Sequence, residues 1–564
     1  MPSVSETAAP RCLLCAMHCP MGARDDGLGH VDSVYPADLG FQDRGACVRG
    51  LTAARLLDAK NRVFDAQKGG YDASGQEVLD AVVQRFAQAE GDQVALVVDL
   101  NRPLEGVLAL ATLCGEMGIR FGVFAPPQDA AVVRAGTGSA PPLAELADCD
   151  CILAVGDVFS SHPPVARTVR DVQFAARGNR MVSVDSGIGR TGRGADQAVV
   201  VDPHKMAGYV AALAVACGAE GVAGALDGRD AEQICEELDL SAEEVEGLAA
   251  DLRDAESVGV LVSHTPARYA HGAAVVAAAR ELAGALGAAF WPLPVATNAT
   301  LVPHFRQVCD AMSIGEVMEC ATNGELKVLA FVGFDPAAVL PEGIWRQAAR
   351  ECETICWAGS LGSPFAAVTD LVLPLALGWE EGGTVLDLTG QSVCSVPWVP
   401  KPPTVLSLTE LADSLATTAG MTDLEGPSLE DVLGAEVESP PLEELMDAQI
   451  LAAPQPESGQ TVLIGKPEPH GYTGGVSLGQ AAWQRRMLGQ EVAVVTGPAA
   501  ELAGAAVLSR DDREFTVACR VEGDGASAVA VPDHWAVLRE LAQWRTVAGE
   551  LVPAPTFVSV EKAE

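Results

Sequence analysis

Positive charge is scarce in this chain. Its 564 residues carry 37 Lys and Arg against 76 Asp and Glu, a formal net charge of −39. Phosphates and anionic membrane surfaces are repelled by such a chain at long range, so nucleic acid and membrane are not expected partners. A run of 18 or more uninterrupted apolar residues is also missing, which excludes a membrane-spanning helix. The opening stretch MPSVSETAAPRCLLC has neither an apolar signal core nor a twin-arginine pair, and a cytoplasmic location is expected. There is no Walker loop and no G-x-S-x-G. GIGRTGRG (187–194) alone is a weak dinucleotide signal, and His264 and His271 have no companion at metal-ligand spacing.

The chain is 49% hydrophobic and 20% charged, the composition of a well-folded globular protein, and it is long enough for three to five domains or subdomains. Its fifteen cysteines do not read as a disulfide framework. Cys114, Cys149, Cys151, Cys217, Cys309 and Cys356 sit in apolar runs, where cysteine behaves as a small buried hydrophobe in a reduced compartment.

Four others are different. Cys12, Cys15, Cys19 and Cys47 form C-x2-C-x3-C followed by 27 residues and a last cysteine. Thiolates are soft ligands suited to iron–sulfur clusters, and a 4Fe–4S cluster takes four of them. Zinc and unligated thiols are the alternatives, although structural zinc sites usually pair two short knuckles and here the fourth cysteine stands alone. Arg49, two residues after Cys47, would offset thiolate charge and could bridge to an anionic cofactor; otherwise it is a solvated surface arginine.

The pattern divides the rest of the chain. Residues 1–64 form the cluster segment. A first α/β domain spans 65–255, with strands at 94–100, 150–157, 180–186 and 197–202 and a helical insertion over 205–256 that includes a capping box at Ser241 and Glu244. A second α/β domain spans 256–419. Residues 420–460, rich in Pro, Glu, Asp and Ser, read as an acidic linker, and 461–564 as a small β-rich domain. Buried strands alternating with helices imply βαβ units and parallel sheets.

C-x2-C-x3-C-x27-C-x-R-G resembles the start of the molybdopterin oxidoreductase superfamily. AVGDVFSSHPPVAR (154–167), VSVDSGIGRTGRGADQAVVVDP (182–203) and TDLVLPLALGWEEGGTVLDLTGQ (369–391) resemble three later family stretches, in the same order. Within the superfamily the chain looks most like the metal-pterin subunit of formylmethanofuran dehydrogenase, and it also resembles the large iron–sulfur subunit of complex I. The resemblance implies an α/β protein with an N-terminal Fe–S segment, two Rossmann-like parallel-sheet domains and a C-terminal β-rich domain like a double-psi barrel. It places Gly156, Asp157, Ser161 and His162 at a pterin nucleotide, and Asp185 and Asp202 near its ribose or guanine. Glu380, Glu381, Gly383 and Thr384 fall on a loop near the cofactor funnel, and Thr496 and Gly497 at a barrel strand. On the residues alone, His162 reads equally as a turn residue before Pro163, and EEGGT as a solvated turn.

The departures matter as much. Active members carry a cysteine, selenocysteine or serine on molybdenum or tungsten at the position that falls here on Phe124 to Pro127, and FGVFAPPQDA offers none. Cys114 lies some ten residues too early. Asp157, Ser186 and Asp387 stand where the family has Asn, Arg and Asn, removing hydrogen-bond donors toward a pyrophosphate or guanine. The expectation is an electron-transfer subunit of a cytoplasmic, hetero-oligomeric redox complex, with ferredoxin-like or flavin and Fe–S proteins as partners and a degenerate active site. An active enzyme with a molybdenum or tungsten bis-pterin guanine dinucleotide, of formylmethanofuran or formate dehydrogenase type, and a purely structural assembly subunit are the alternatives.

Overall fold

The computed structural model describes residues 9–25, 31–37, 46–135, 140–187, 189–267, 271–296, 298–422, 424–446, 448–451, 460–466, 493–496, 504–521, 528–532, 536–547, 550–554 and 556–563. Among these, the apolar runs form two separate sheets. The larger holds six parallel strands in the order Met312–Ser313, Arg120–Phe124, Val94–Asp99, Val328–Val332, Thr354–Gly359 and Leu371–Pro374. The hairpin Ala66–Lys68 and Tyr71–Ala73 extends it antiparallel at one edge. The smaller sheet is all parallel: Ala289–Leu293, Val258–Ser263, Cys151–Val155, Arg180–Asp185 and Gln197–Val200.

This pairing corrects the expected boundaries. The units are not 65–255 and 256–419: the larger sheet draws on 66–124 and 312–374, and the smaller sheet is built whole from 151–293 between them. Hydrophobic runs show where strands are but not which ones pair, because a parallel crossover can be of any length above about a dozen residues. The strands themselves lie where the runs put them, and all six residues of Val94–Asp99 and of Val258–Ser263 are buried.

Four helices between Gln197–Val200 and Val258–Ser263 (Met206–Ala216, Glu220–Ala225, Ala231–Glu237 and Ala242–Arg253) cover one face of the smaller sheet together with Gly272–Leu286. Ser241 accepts from the Glu244 amide, so the cap forms without the expected reciprocal half. The acidic linker is not a loose connector. Ser428 and Asp431 make a full capping box for Leu429–Gly434, whose Val432 is buried in the core of the larger sheet, while Leu445 and Met446 are buried in that of the smaller. Leucines among the acids supply enough apolar surface to dock short helices.

The C-terminal strands Gln460–Lys466, Ala493–Thr496, Gly504–Arg510, Arg513–Val521, Ala528–Pro532 and Thr556–Lys562 close into a barrel. The cluster segment holds a hairpin, Met21–Asp25 with Val31–Pro36, and a short helix, Val48–Thr52. An aromatic knot supports the outer face of the larger sheet. Phe365 meets Phe331, Trp345 and Trp357 edge-on at 5.4, 5.7 and 6.4 Å between centroids. Phe365→Ala should therefore cost about 3–5 kcal/mol in urea unfolding, well above the effect of truncating an exposed side chain.

Candidate functional site

Both parallel sheets reverse their strand order, and ligands of open α/β sheets sit at such points, outside the carboxyl ends of the strands. In the smaller sheet the reversal lies between Cys151–Val155 and Val258–Ser263, which run directly into Gly156 and Asp157 on one side and His264 and Thr265 on the other. In the larger sheet it lies between Val94–Asp99 and Val328–Val332, which run into Asn101, Arg102 and Gly333. The cysteine loop touches the second of these places, and it meets the smaller sheet at the end of its edge strand Ala289–Leu293. Asn101 Nδ2 donates to the Leu13 carbonyl at 3.2 Å, and the Ala16 amide to Val295 O at 3.0 Å.

The four predicted thiols come together. Cys12, Cys15 and Cys19 are buried and Cys47 is half-buried. Burial pushes the Cys12 thiol up most, and Cys15, Cys19 and Cys47 each push it further. Cys15 is raised to about 11, again by burial first, with Arg49 opposing. Cys19 is raised by burial, then by Cys15 and Cys47. A side chain at Gly50 would stand 3.1 Å from Cys12 Sγ, so the short helix approaches the thiols as closely as only glycine allows. Among the described residues no group of three or more His, Cys, Asp or Glu is arranged to hold a metal ion. The thiols are near enough to resist one another's ionisation without being drawn into one ion's ligand sphere. Three buried thiols and a half-buried fourth fit a group that supplies positive charge between them, as a 4Fe–4S cluster does.

Arg49 is not a surface arginine. It is buried, and its guanidinium donates to the carbonyls of Ser160 and Ser161 at 3.0 and 2.6 Å, tying the cluster segment to the SHPP turn. There His162 is fully buried and its pKa is lowered to about 3 by desolvation, so the ring is neutral. Its Nε2 lies 2.9 Å from Pro294 O, which only accepts, so Nε2 carries the proton and Nδ1 accepts from Ser161 Oγ at 3.0 Å. Beside Cys19, His18 adopts φ 42° and is fully buried.

Several residues assigned to a pterin nucleotide make hydrogen bonds within the fold. Asp157 accepts from the Arg190 amide at 3.2 Å and from the Thr191 amide and hydroxyl at 3.0 and 2.8 Å. Gly187, Gly189 and Gly192 do stand at G-x-G-x-x-G spacing, yet they lead into the short turn Gly192–Gly194 and a strand rather than a long helix. Gly156 takes φ 87°, and a Cβ there would meet Thr265 Oγ1 at 2.3 Å. Asp185 accepts from the Ser186 amide at 2.7 Å, and its carbonyl takes the amide of Val201, next to the half-buried Asp202. Thr496 ends its barrel strand, while Gly497 lies outside the described residues.

The EEGGT loop is not a solvated turn. Glu380 makes a buried two-point ion pair with Arg62, at 3.1 and 2.8 Å, and accepts from the Leu377 amide. Glu381 lies 3.7 Å from Arg102, accepts from the Leu408 amide at 3.2 Å, and is pushed up to about 7 by burial. The Thr384 amide donates to both oxygens of Glu105 at 2.9 Å, and Gly383 (φ 147°) leaves room for that carboxylate.

Sequence reasoning passed over Asp99, Asn101, Arg102, Asp129 and Asn298. Asp129 is fully buried in the stretch where a protein ligand to the metal would fall, and its two oxygens accept from the amides of Val295 and Ala296 at 2.7 and 2.6 Å. Asn298 donates to the Leu100 and Arg102 carbonyls at 2.8 Å each and accepts from the Leu386 amide at 2.7 Å. The signal for the first three was the polar run D-L-N-R ending a buried strand.

The class defined by these features is a three-part fold: a four-thiol segment seated against the carboxyl ends of two parallel sheets, followed by a closed barrel. The same fold is found in acetylene hydratase from Pelobacter acetylenicus, with a TM-score of 0.75 and 12% identity over 99% of this chain and 100% of that one. No family model and no curated protein matches the sequence.

The buried charges have measurable consequences. Glu380→Gln strands Arg62 and should cost about 3–5 kcal/mol in urea unfolding, whereas Arg62→Met with Glu380→Gln should recover most of it. Asp99 is raised to about 7 by burial, so native protein holds its proton where unfolded chain has lost it. That stabilisation is complete below about pH 4 and is lost as pH rises to about 7. Unfolding of Asp99→Asn and wild type across this range should diverge in favour of the variant, by up to about 1.4 kcal/mol per pH unit.

Proposed function

We propose that this chain is an iron–sulfur electron-relay subunit of a redox complex, built on the molybdopterin oxidoreductase fold and lacking a metal-pterin site of its own. The convergence of Cys12, Cys15, Cys19 and Cys47 is the observation that carries this reading. A 4Fe–4S cluster held by their thiolates would supply one-electron storage. The protein around it supplies enclosure. Three of the thiols are buried, and Arg49 brings a fixed positive charge to Cys15 and Cys19 while its guanidinium stays anchored on two carbonyls. Desolvation and a nearby cation oppose each other in setting a cluster's potential, and both are built into the fold here.

The absence of a pterin-site function is supported by where the hydrogen bonds go. Asp157, His162 and Glu380 are engaged with protein partners, and Phe124 is fully buried, stacked on Phe334 at 4.3 Å. An active molybdenum or tungsten enzyme is the second reading. It is favoured by one observation, a likeness to the hydratase that runs through the barrel as well as both sheets. Acetylene hydration is that protein's named reaction, and at 12% identity the likeness brings the fold to this chain without a substrate.

Cys15→Ala should remove or convert the low-temperature EPR signal of the anaerobically reduced protein and lower its iron content, with the melting of the barrel unchanged. An unaltered signal would refute the ligand set.

A further inference from the structure

The arginines of this acidic chain are unevenly placed. Between residues 163 and 195 there are six arginines and two aspartates, with no lysine or glutamate, in a chain where acids outnumber bases two to one. The helix Pro163–Ala175 organises them. Its inner residues Val165, Val169 and Val172 belong to the same apolar core as Cys12, Cys15 and Cys19. Helical spacing puts Arg167, Arg170 and Phe174 on the other face, with the exposed Asp171 among them, and Arg177 follows the helix. Phe174 is 74% exposed, and the Arg170 guanidinium lies 5.9 Å from its ring and 5.7 Å from that of Phe159.

The patch extends onto a second element. Arg170 donates to Gly194 O at 2.8 Å, joining the helix to the loop that carries the exposed Arg190 and Arg193. Asp157 fixes the same loop from beneath. Arg180 is half-buried and paired with Asp251 at 3.0 Å. The result is a pre-ordered basic face with an exposed aromatic at its centre, the composition that anchors protein interfaces.

We infer that this face docks an acidic one-electron carrier protein and passes electrons between it and the cluster, an inference that rests on the cluster reading above. A net charge of −39 repels an acidic partner everywhere except where the local sign reverses, so attraction and orientation come from one surface. A long polyanion such as nucleic acid would run off the patch onto repelling surface, since screening reaches only about 8 Å at physiological salt. A compact carrier suits the size: a 13-residue helix is about 20 Å long, comparable with one side of a footprint of about 800 Å². The helix that carries the face buries its inner side in the apolar core that also contains Cys12, Cys15 and Cys19. The reduced carrier loses one electron and the cluster gains it, with no bond made or broken.

The test uses the full chain, prepared without oxygen, and a reduced acidic 2Fe–2S ferredoxin in stopped flow, with dithionite as a small reductant that needs no docking. Reduction by ferredoxin should slow steeply between 50 and 300 mM salt. Arg167→Glu with Arg177→Glu should slow it about tenfold or more and flatten the salt dependence. Phe174→Ala should slow it at every salt concentration, and Arg350→Glu, on the remote helix Glu342–Glu351, should not. Dithionite rates and melting temperatures should stay constant throughout. Equal effects of the patch variants and Arg350→Glu would overturn the inference, as would a cluster that dithionite reduces and ferredoxin does not. Absence of any reducible cluster would refute the functional reading instead. Calorimetric titration with oxidised ferredoxin then decides the surface: arginine-dependent, salt-sensitive binding supports it. No binding, or arginine-dependent binding only to a single-stranded DNA 20-mer, overturns it.

Discussion

Three consecutive residues at the end of the strand Ala289–Leu293 hold the candidate site together. Pro294 O accepts from the neutral His162 ring, Val295 O accepts from the Ala16 amide of the cysteine loop, and the amides of Val295 and Ala296 both donate to Asp129. One short stretch therefore ties the thiol loop, the SHPP turn and the first turn of the helix that follows Arg120–Phe124. Each bond satisfies a group that would be costly to leave buried and unpaired. Arg49 closes the circuit from the other arm of the cysteine segment, through the carbonyls of Ser160 and Ser161. The geometry of the thiols depends on this frame more than on any regular secondary structure of their own.

Much of this was legible in the sequence, unevenly. Strands such as Val94–Asp99 and Val258–Ser263 were visible because strands buried on both faces must be continuously apolar. The thiols were visible because their spacing has few other uses. Pairing between strands was not, since the return of the chain from Ala289–Leu293 to Met312–Ser313 leaves no local mark. The roles of Glu380 and Asp157 were hidden for a similar reason: their partners, Arg62 and Thr191, lie 318 and 34 residues away. Asp129 was passed over because a soft or hydroxyl ligand was expected in that stretch, and an aspartate two residues after Pro127 looked like an ordinary helix start.

Charge gives the fold a direction. Acidic residues dominate the chain as a whole, and Arg11, Arg49, Arg62 and Arg102 are buried in its interior along with the acids Asp99, Asp129, Glu380, Glu381 and Asp387. Buried guanidinium groups are tolerable when carbonyls and carboxylates surround them, as Glu380 does for Arg62 and Ala376 O does for Arg102 at 2.6 Å. Arg49, whose charge acts on Cys15 and Cys19, is placed to offset the charge of thiolates holding a cluster. The same acidic exterior makes the arginine-rich face stand out electrostatically.

Metal analysis of the anaerobically purified chain, by mass spectrometry for iron, zinc, molybdenum and tungsten, tests the central claim most directly. The account predicts about four iron atoms per chain with neither molybdenum nor tungsten. Stoichiometric molybdenum or tungsten would make the chain an enzyme in its own right, and zinc in place of iron would remove its role in electron transfer.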